Sequence, residues 1–595
     1  MPVIPERRPR TEFDPLPHER ELVSIIDAIV STPTLDSGEL ERILKRHPRG
    51  GRGLFSRSEI IAGFRRFRSA HHSNLDETEF VERLRLRPIR TLSGVTPVTV
   101  LTKPYPCPGK CIFCPNDVRM PKIYLADEPG AQRAEDNRFD PYLQTWSRLH
   151  AYRSMGHPVA KVELIVLGGT WSFHPEAYQI WFAKRCFDAL NDFGKGIDGR
   201  RSAGAAPAHY RELPSKLDGR AGDASYNQLV RSFLLKEHGG QLLHPTETAI
   251  WDELEAAQLA NETAECRNVG LVIETRPDHI SQEEVRRIRR LGGTKVQLGI
   301  QSLSDRILAA NRRGCDVAAT RRAMRLLRGA GFKLHVHWMP NLLGASPQED
   351  AEDFARLFDD PDFRPDELKL YPCSLIESAE LMSYYERGEW RPYTQDELVD
   401  LIADCMERTP SYCRVTRVIR DFSAHDIAAG NRIANLREIA ERELRSRGGV
   451  CRDIRAREIR EAEVAPEQLR STDRVYQTSV GDEHFLEFST PEDRLVAFLR
   501  LCLPRSPLPE SELSGSALIR EVHVYGGSLG LGRRADGKAQ HIGLGRRLIE
   551  RAEALAQQAG LSNLAVISAV GTRAYYRGLG FTDGPFYQHR RVGSA

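Results

Sequence analysis

The sequence predicts an α/β protein: a partial barrel of six strand–helix units, a smaller α+β domain behind it and a helical arm in front. Three patterns carry this expectation. Short apolar runs at 95–101, 162–167, 270–274, 295–300, 333–338 and 368–371 alternate with helical segments such as 281–291, 304–310 and 318–329. Strands mostly followed by helices run parallel, and such a sheet curls into an open barrel. From residue 471 strands follow one another instead, at 475–480, 484–489, 495–501 and 518–525, before a Gly-rich turn, a helix, a strand at 564–570 and a short helix at 573–578. In residues 1–90 the apolar spacing of 21–30 and 60–67 fits a 3.6-residue period better than alternation.

In chain order, residues 1–90 are the helical arm, 91–400 the barrel, 401–470 a connecting region of mainly polar helix, and 471–595 the α+β domain. Residues 194–226 are rich in Gly, Ala, Asp and Arg without periodicity, and read as a long flexible insertion in the barrel.

Composition narrows the class. A chain of 595 residues, 40% of them hydrophobic, can bury more than one core and is neither disordered nor fibrous. No run approaches the roughly 18 apolar residues of a membrane span. Residues 1–15 are charged and Pro-rich with no apolar stretch after them, so no secretory signal is expected. Eleven cysteines, odd and sparse, argue against a disulfide scaffold and for the reducing cytoplasm. The net charge of +3 hides a bias of 72 Arg to 13 Lys, which composition alone explains. Locally there is more. Residues 45–68 hold eight basic residues, among them Arg46, Arg49, Arg52, Arg65, Arg66 and Arg68, against the single acid Glu59, with Phe55, Phe64 and Phe67 interleaved. That mixture suits phosphate neutralisation and base stacking, and equally describes a solvated helix face.

Two loops carry chemistry. Cys107-Pro-Gly-Lys-Cys111-Ile-Phe-Cys114 follows the first barrel strand with the spacing C-x3-C-x2-C. Three thiolates in one loop can hold three corners of a 4Fe–4S cluster; a fourth would close it, and the next cysteine is Cys186. The open iron would chelate S-adenosylmethionine, whose reductive cleavage gives a deoxyadenosyl radical. A zinc ion completed by a distant ligand stays open as an alternative. The second strand ends in Gly168-Gly169-Thr170, glycines that admit a ligand at the end where barrels carry their sites; Gln301 and His337 would line the same mouth.

The second loop, Gln540-His541-Ile542-Gly543-Leu544-Gly545-Arg546, lies between a strand and a helix. It matches Q-x-x-G-x-G, the acetyl-CoA pyrophosphate loop of the GNAT acetyltransferases. Free N–H groups and the dipole at a helix N-terminus bind phosphate there. In that fold the flanking strands splay, and the first one's unpaired backbone bonds the pantetheine arm. Tyr575 or Tyr576 could reach the thioester sulfur.

Together these features resemble the elongator complex protein 3 family of tRNA wobble-uridine modifying enzymes, which join a radical SAM barrel to a GNAT domain. The resemblance runs from about residue 90 to the C-terminus. It includes Asp140-Pro141-Tyr142-Leu143-Gln144-Thr145, Lys161-Val162-Glu163, Glu274-Thr275-Arg276-Pro277-Asp278, Lys369-Leu370-Tyr371-Pro372 and Gly571-Thr572-Arg573. It implies that Cys107, Cys111 and Cys114 hold the cluster and that Gly168, Gly169, Thr170 and Gln301 bind S-adenosylmethionine. Lys161 would touch acetyl-CoA across the domain interface. Glu521, Val522, His523, Val524, Gln540, Gly543, Leu544, Gly545, Arg546, Tyr575 and Tyr576 would complete that site, with Lys161 and Tyr576 catalytic. Three departures stand out. Pro115-Asn116-Asp117 replaces a usual Pro-Gly-Gly, the 194–226 insertion has no counterpart, and Cys451 is what remains of a Cys-x-Cys-x-x-Cys zinc segment, so no structural zinc is expected.

The expected function is formation of 5-carboxymethyluridine at the wobble position of tRNA. The radical takes hydrogen from the methyl group of acetyl-CoA, the carbon radical adds to C5 of a uracil that has left its stack, and the thioester is hydrolysed. The arginine-rich arm would hold tRNA, and an electron donor is required. Whether the chain acts as a homodimer or in a larger complex is left open. The rival readings are a protein lysine acetyltransferase and a non-catalytic tRNA-binding scaffold.

Overall fold

The computed structural model describes residues 13–51, 53–85, 93–201, 225–460, 466–525 and 543–593. The chain forms two compact units, one from residues 1–91 and 147–159, the other from 92–146 and 160–595. In the first, helices α1 (Glu19–Val30), α2 (Ser37–Arg46), α3 (Arg57–His71) and α4 (Glu77–Leu84) surround a single apolar core. Asp36, Ser56 and Asp76 cap three of them, Ser56 reciprocally with Glu59, which satisfies N–H groups that a helix start leaves free. Phe64 stacks on Phe80 with ring centroids 4.0 Å apart. Phe55, Phe64 and Phe67 are all buried in this core. The aromatics interleaved with the basic run therefore pack inward and are not available to stack on bases.

In the larger unit, strands β1 (Val95–Leu101), β2 (Lys161–Leu167), β3 (Arg267–Thr275), β4 (Lys295–Gln301), β5 (Lys333–Trp338) and β6 (Glu367–Leu370) pair in sequence order, all parallel. β7 (Leu375–Ile376) and β9 (Ile427–Ala429) form a small antiparallel ladder, while β8 (Arg414–Arg417) adds to β6. The barrel sheet thus has seven strands, not the expected six, and the last comes from the region read as a connector. Arg-Val-Thr-Arg has one apolar residue and no visible strand pattern. It is held by backbone pairing to β6 and by Asp453, whose carboxylate accepts the Val415 N–H at 2.9 Å.

The insertion is ordered at both ends. One helix runs to Gly194, and another, Tyr226–Glu237, starts from a Ser225–Gln228 capping box. Residues 202–224 lie outside those described.

A second seven-stranded sheet follows: β10 (Arg470–Gln477), β11 (Gly481–Ser489), β12 (Leu495–Pro504), β13 (Ser516–Val524), β14 (Asn563–Val566), β15 (Thr582–Asp583) and β16 (Gln588–Arg591). Its β13–β14 pair is parallel and every other pairing antiparallel. Buried charges tie this sheet to the barrel. Arg520 on β13 donates to both oxygens of Asp366 at 2.8 and 2.6 Å and to Glu483 at 3.0 Å, and Arg500 on β12 lies 3.3 Å from Asp366. Among the described residues no helix is long and apolar enough to cross a membrane.

Candidate active site

The three cysteines line a cavity of about 520 Å³ at the C-terminal ends of the barrel strands, with Lys122, Gly169, Thr170, Glu274, Arg276, Gln301, Arg313 and His337 around it. Each wall is fixed by local bonds. Asn227, just past the insertion, accepts the Cys107 N–H at 2.8 Å and donates to its carbonyl at 2.7 Å. The Cys114 N–H closes a turn onto the Cys111 carbonyl at 3.2 Å. In the stretch that departs from the family, Asn116 donates through its side-chain amide to the Ser378 carbonyl at 2.9 Å and accepts from Lys122. A hydrogen bond with Cys114, helped by the Arg313 and Arg276 cations, holds the Cys111 thiol well below its usual range, while Cys114 is pushed up. Arg313 donates to the Cys111 sulfur at 3.6 Å.

The glycines differ in role. Gly168 has φ +132°, and a Cβ there would meet Thr102 Oγ1 at 2.0 Å; it lets the strand end pack closely, whereas Gly169 and Thr170 face the cavity. Gln301 sits at a bulge with φ 71°.

Below the cavity the barrel interior is polar. His337 Nε2 lies 3.1 Å from Gln297 Oε1, which also accepts from Lys369 at 2.7 Å, and Tyr124 donates to Glu274 at 3.0 Å. Burial keeps His337 well below its normal value, hence neutral, and lowers Lys369 to about 8. Deeper still, Lys295 bridges Glu163 and Glu367, and Lys333 bridges Glu367 and Glu521 at 2.7 and 2.5 Å. Lys122, Arg313 and Lys369 escaped sequence reasoning as site residues, because single cations on unrelated elements leave no spacing to read.

The Lys369 shift has a testable sign. Its folded pKa of about 8 lies below the ordinary lysine value of 10.5, so between those values the unfolded chain binds more protons and stability rises with pH. Lys369→Met is expected to be more stable than the parent at neutral pH, the gap closing from about pH 8 to 10.5, as read by urea denaturation across that range. A constant gap would contradict the buried ammonium.

At the sequence level, the chain is 39% identical over 501 residues to a tRNA uridine(34) acetyltransferase of Dehalococcoides mccartyi (strain CBDB1), covering 83% of this chain and 96% of that one. It is 34% identical to an elongator complex protein 3 of Danio rerio, covering 85% and 86%. The chain belongs to the elongator complex protein 3 family. The radical SAM superfamily profile matches residues 239–358 and the radical SAM C-terminal domain profile residues 365–446. The second span contains β8, so the extra strand belongs to the radical SAM part. The solved structure of archaeal Methanocaldococcus infernus Elp3 with an N-terminal deletion superposes with a TM-score of 0.66 at 32% identity, over 84% of this chain and 100% of that one.

Membership of the radical SAM superfamily implies a 4Fe–4S cluster and S-adenosylmethionine, and the cavity fits both. Among the described residues the three sulfurs are not all within 4.8 Å of one another. A lone zinc ion needs every thiolate at about 2.3 Å from one centre, which the three sulfurs as placed do not offer. Arg276 Nη1, Arg313 Nε and Gln301 Oε1, all on cavity-lining residues, are buried without a hydrogen-bond partner, the state expected of groups that meet a polar ligand.

The remaining family positions lie elsewhere. Lys161 opens β2, at the opposite end of the barrel from the cysteines, and pairs in register with Arg267; a Cβ at Gly571 would come within 2.6 Å of the Arg267 Cβ. The Glu521 carboxylate is committed to Lys333 and Arg500, which leaves only its backbone for a ligand. β13 pairs with β14 over Ser516 to Ile519, so at Val522, His523 and Val524 the two strands have parted. Gly543 (φ 70°) precedes the helix Leu544–Gln558, and Gln540 lies outside the described residues. Tyr575 is 48% exposed, and its hydroxyl would stand 2.8 Å from a Cβ at Gly545. Tyr576 is buried against Phe581. Of the two phenols, that of Tyr575 stands at the helix start. Leu544 is buried in the core, and Arg546 is on the helix's first turn. Of the basic arm, Arg49 pairs with Glu59, and Arg65 and Arg68 with Glu77. Arg46 and Arg66 are exposed with no ion pair among the described residues, and Arg52 lies outside them.

Proposed function

We propose that this chain makes 5-carboxymethyluridine at the wobble position of tRNA, drawing the added carbons from acetyl-CoA. The supporting observation is that one compact unit carries both a three-cysteine cavity on a parallel barrel and, on its second sheet, parted strands beside a glycine-led helix N-terminus. Bound at the cavity, the cluster and S-adenosylmethionine supply a carbon-centred radical. Cys107, Cys111 and Cys114 hold the cluster, Arg276 and Arg313 balance thiolate charge, and Gly169, Thr170 and Gln301 face the S-adenosylmethionine. Neutral His337 and the Gln297–Lys369 pair offer hydrogen bonds to a substrate entering the lumen. In the C-terminal sheet, a GNAT-type holder in this reading, the stretch Val522–Val524 where the strands have parted takes the pantetheine amides and the Gly543–Gly545 segment the pyrophosphate. Lys161, whose ammonium burial lowers, and Tyr575 would flank the thioester. Arg46 and Arg66 would contact the tRNA backbone, and the reaction belongs in the cytoplasm with an electron donor.

An anaerobic assay with reconstituted protein, reductant, S-adenosylmethionine, acetyl-CoA and tRNA, read by nucleoside mass analysis, is expected to yield carboxymethyluridine. None formed despite an intact cluster would overturn the reading.

A further inference from the structure

We propose that Tyr105, Phe173 and His279 form a stacking platform at the cavity rim for the nucleobase next to the target uridine. The inference rests on the RNA-modifying reading above and extends it to how the loop is held.

The three rings come from three segments, each of which also lines the cavity. Tyr105 precedes Cys107 by two residues, Phe173 follows Thr170, and His279 follows Arg276. None of the rings is itself part of the lining. Phe173 is 40% exposed, a large apolar ring left in water beside a polar pocket. Tyr105 and His279 meet it at centroid distances of 6.3 and 5.7 Å and interplanar angles of 62° and 79°. Neither lies parallel on it, so they brace the ring without occupying a stacked position.

The mount is rigid. Phe173 ends the turn Trp171–Phe173, in which Trp171 is buried. The Ser172 N–H donates to Thr275 Oγ1 at 3.4 Å, and the Thr275 hydroxyl lies 2.9 Å from Ser172 Oγ. Tyr105 is backed by His174 at 4.5 Å, itself stacked on Tyr178.

Charge favours a polyanion. Lys110 in the cysteine loop and Arg231 on the helix Tyr226–Glu237 are exposed, and Arg231 is close enough to act on the Tyr105 phenol. A flat apolar face with cations alongside is how single-stranded nucleic acid is gripped, each base contributing through its π face and the phosphates through the cations. Extruding one uridine leaves its neighbour without a stacking partner, and the platform would replace that partner.

The test uses anticodon stem-loop RNAs carrying 2-aminopurine on either side of the wobble uridine, with the full-length protein. Binding is expected to quench one of the two probes. Phe173→Leu should abolish that quench and weaken binding roughly ten- to a hundredfold, Phe173→Trp should retain both, and S-adenosylmethionine binding should not change. Stem-loop binding with the quench intact in Phe173→Leu overturns this inference alone. Loss of S-adenosylmethionine binding in that variant also overturns it, by assigning the platform to the cofactor. No binding by the parent protein overturns the RNA reading as well.

Discussion

Cys114→Ala is expected to reduce carboxymethyluridine formation by at least about a thousandfold, since residues that act as one unit fail together. Iron content and reductive cleavage of S-adenosylmethionine should fall with it, because two thiolates cannot hold a cluster that needs three corners. The fold should survive. The loop is fixed by the backbone turn onto Cys111, by the Asn227 bonds to Cys107 and by Asn116 on Ser378, none of which needs the sulfur of Cys114. Near-UV circular dichroism and stem-loop affinity are therefore expected to match the parent. Acetyl transfer to a lysine substrate that is unchanged in the variant would favour the lysine acetyltransferase alternative, in which the cysteine loop is only structural.

Arg520→Met is expected to destabilise the larger unit by about 3–5 kcal/mol, the usual cost of stranding a buried charge. Arg520, Asp366 and Glu483 have no side-chain exposure at all. Losing the guanidinium leaves Asp366 with Arg500 at 3.3 Å as its remaining close cation and takes from Glu483 its bond at 3.0 Å. Urea denaturation should show the midpoint falling, and Asp366→Asn in the same background should recover part of the loss by removing one stranded charge. If the double variant were less stable than Arg520→Met, the Asp366 charge would not be the source of the cost.

The barrel was legible because six of its strands are apolar runs between helices; β8 was not, because a strand covered by polar partners has no reason to be apolar. Arg414 bonds Glu458 and Tyr525, and Arg417 pairs with Asp421, so its sequence reads as a polar loop. The cysteine loop was legible because spacing within seven or eight residues survives in one dimension. Arg276 and Arg313 were not assigned to it, since they reach it from the ends of β3 and of a helix beyond β4. The basic arm shows the reverse error. Helical periodicity alone sets Ile60, Phe64 and Phe67 on one face, so the phenylalanines declared themselves as core, and the mixture of charge and ring suggested a stacking surface that the packing removes.

The Arg520–Asp366 pair also sets a schedule for synthesis. Its partners are 154 residues apart in the chain, so a carboxylate at the base of the barrel waits for a cation that has not yet been made. At about 5–20 residues per second the wait is roughly 10–30 s. Once β8 has been made the nascent barrel has all its strands yet cannot seal its lower end. A chaperone would find its substrate in that interval, and a gene cut after the barrel would never leave it.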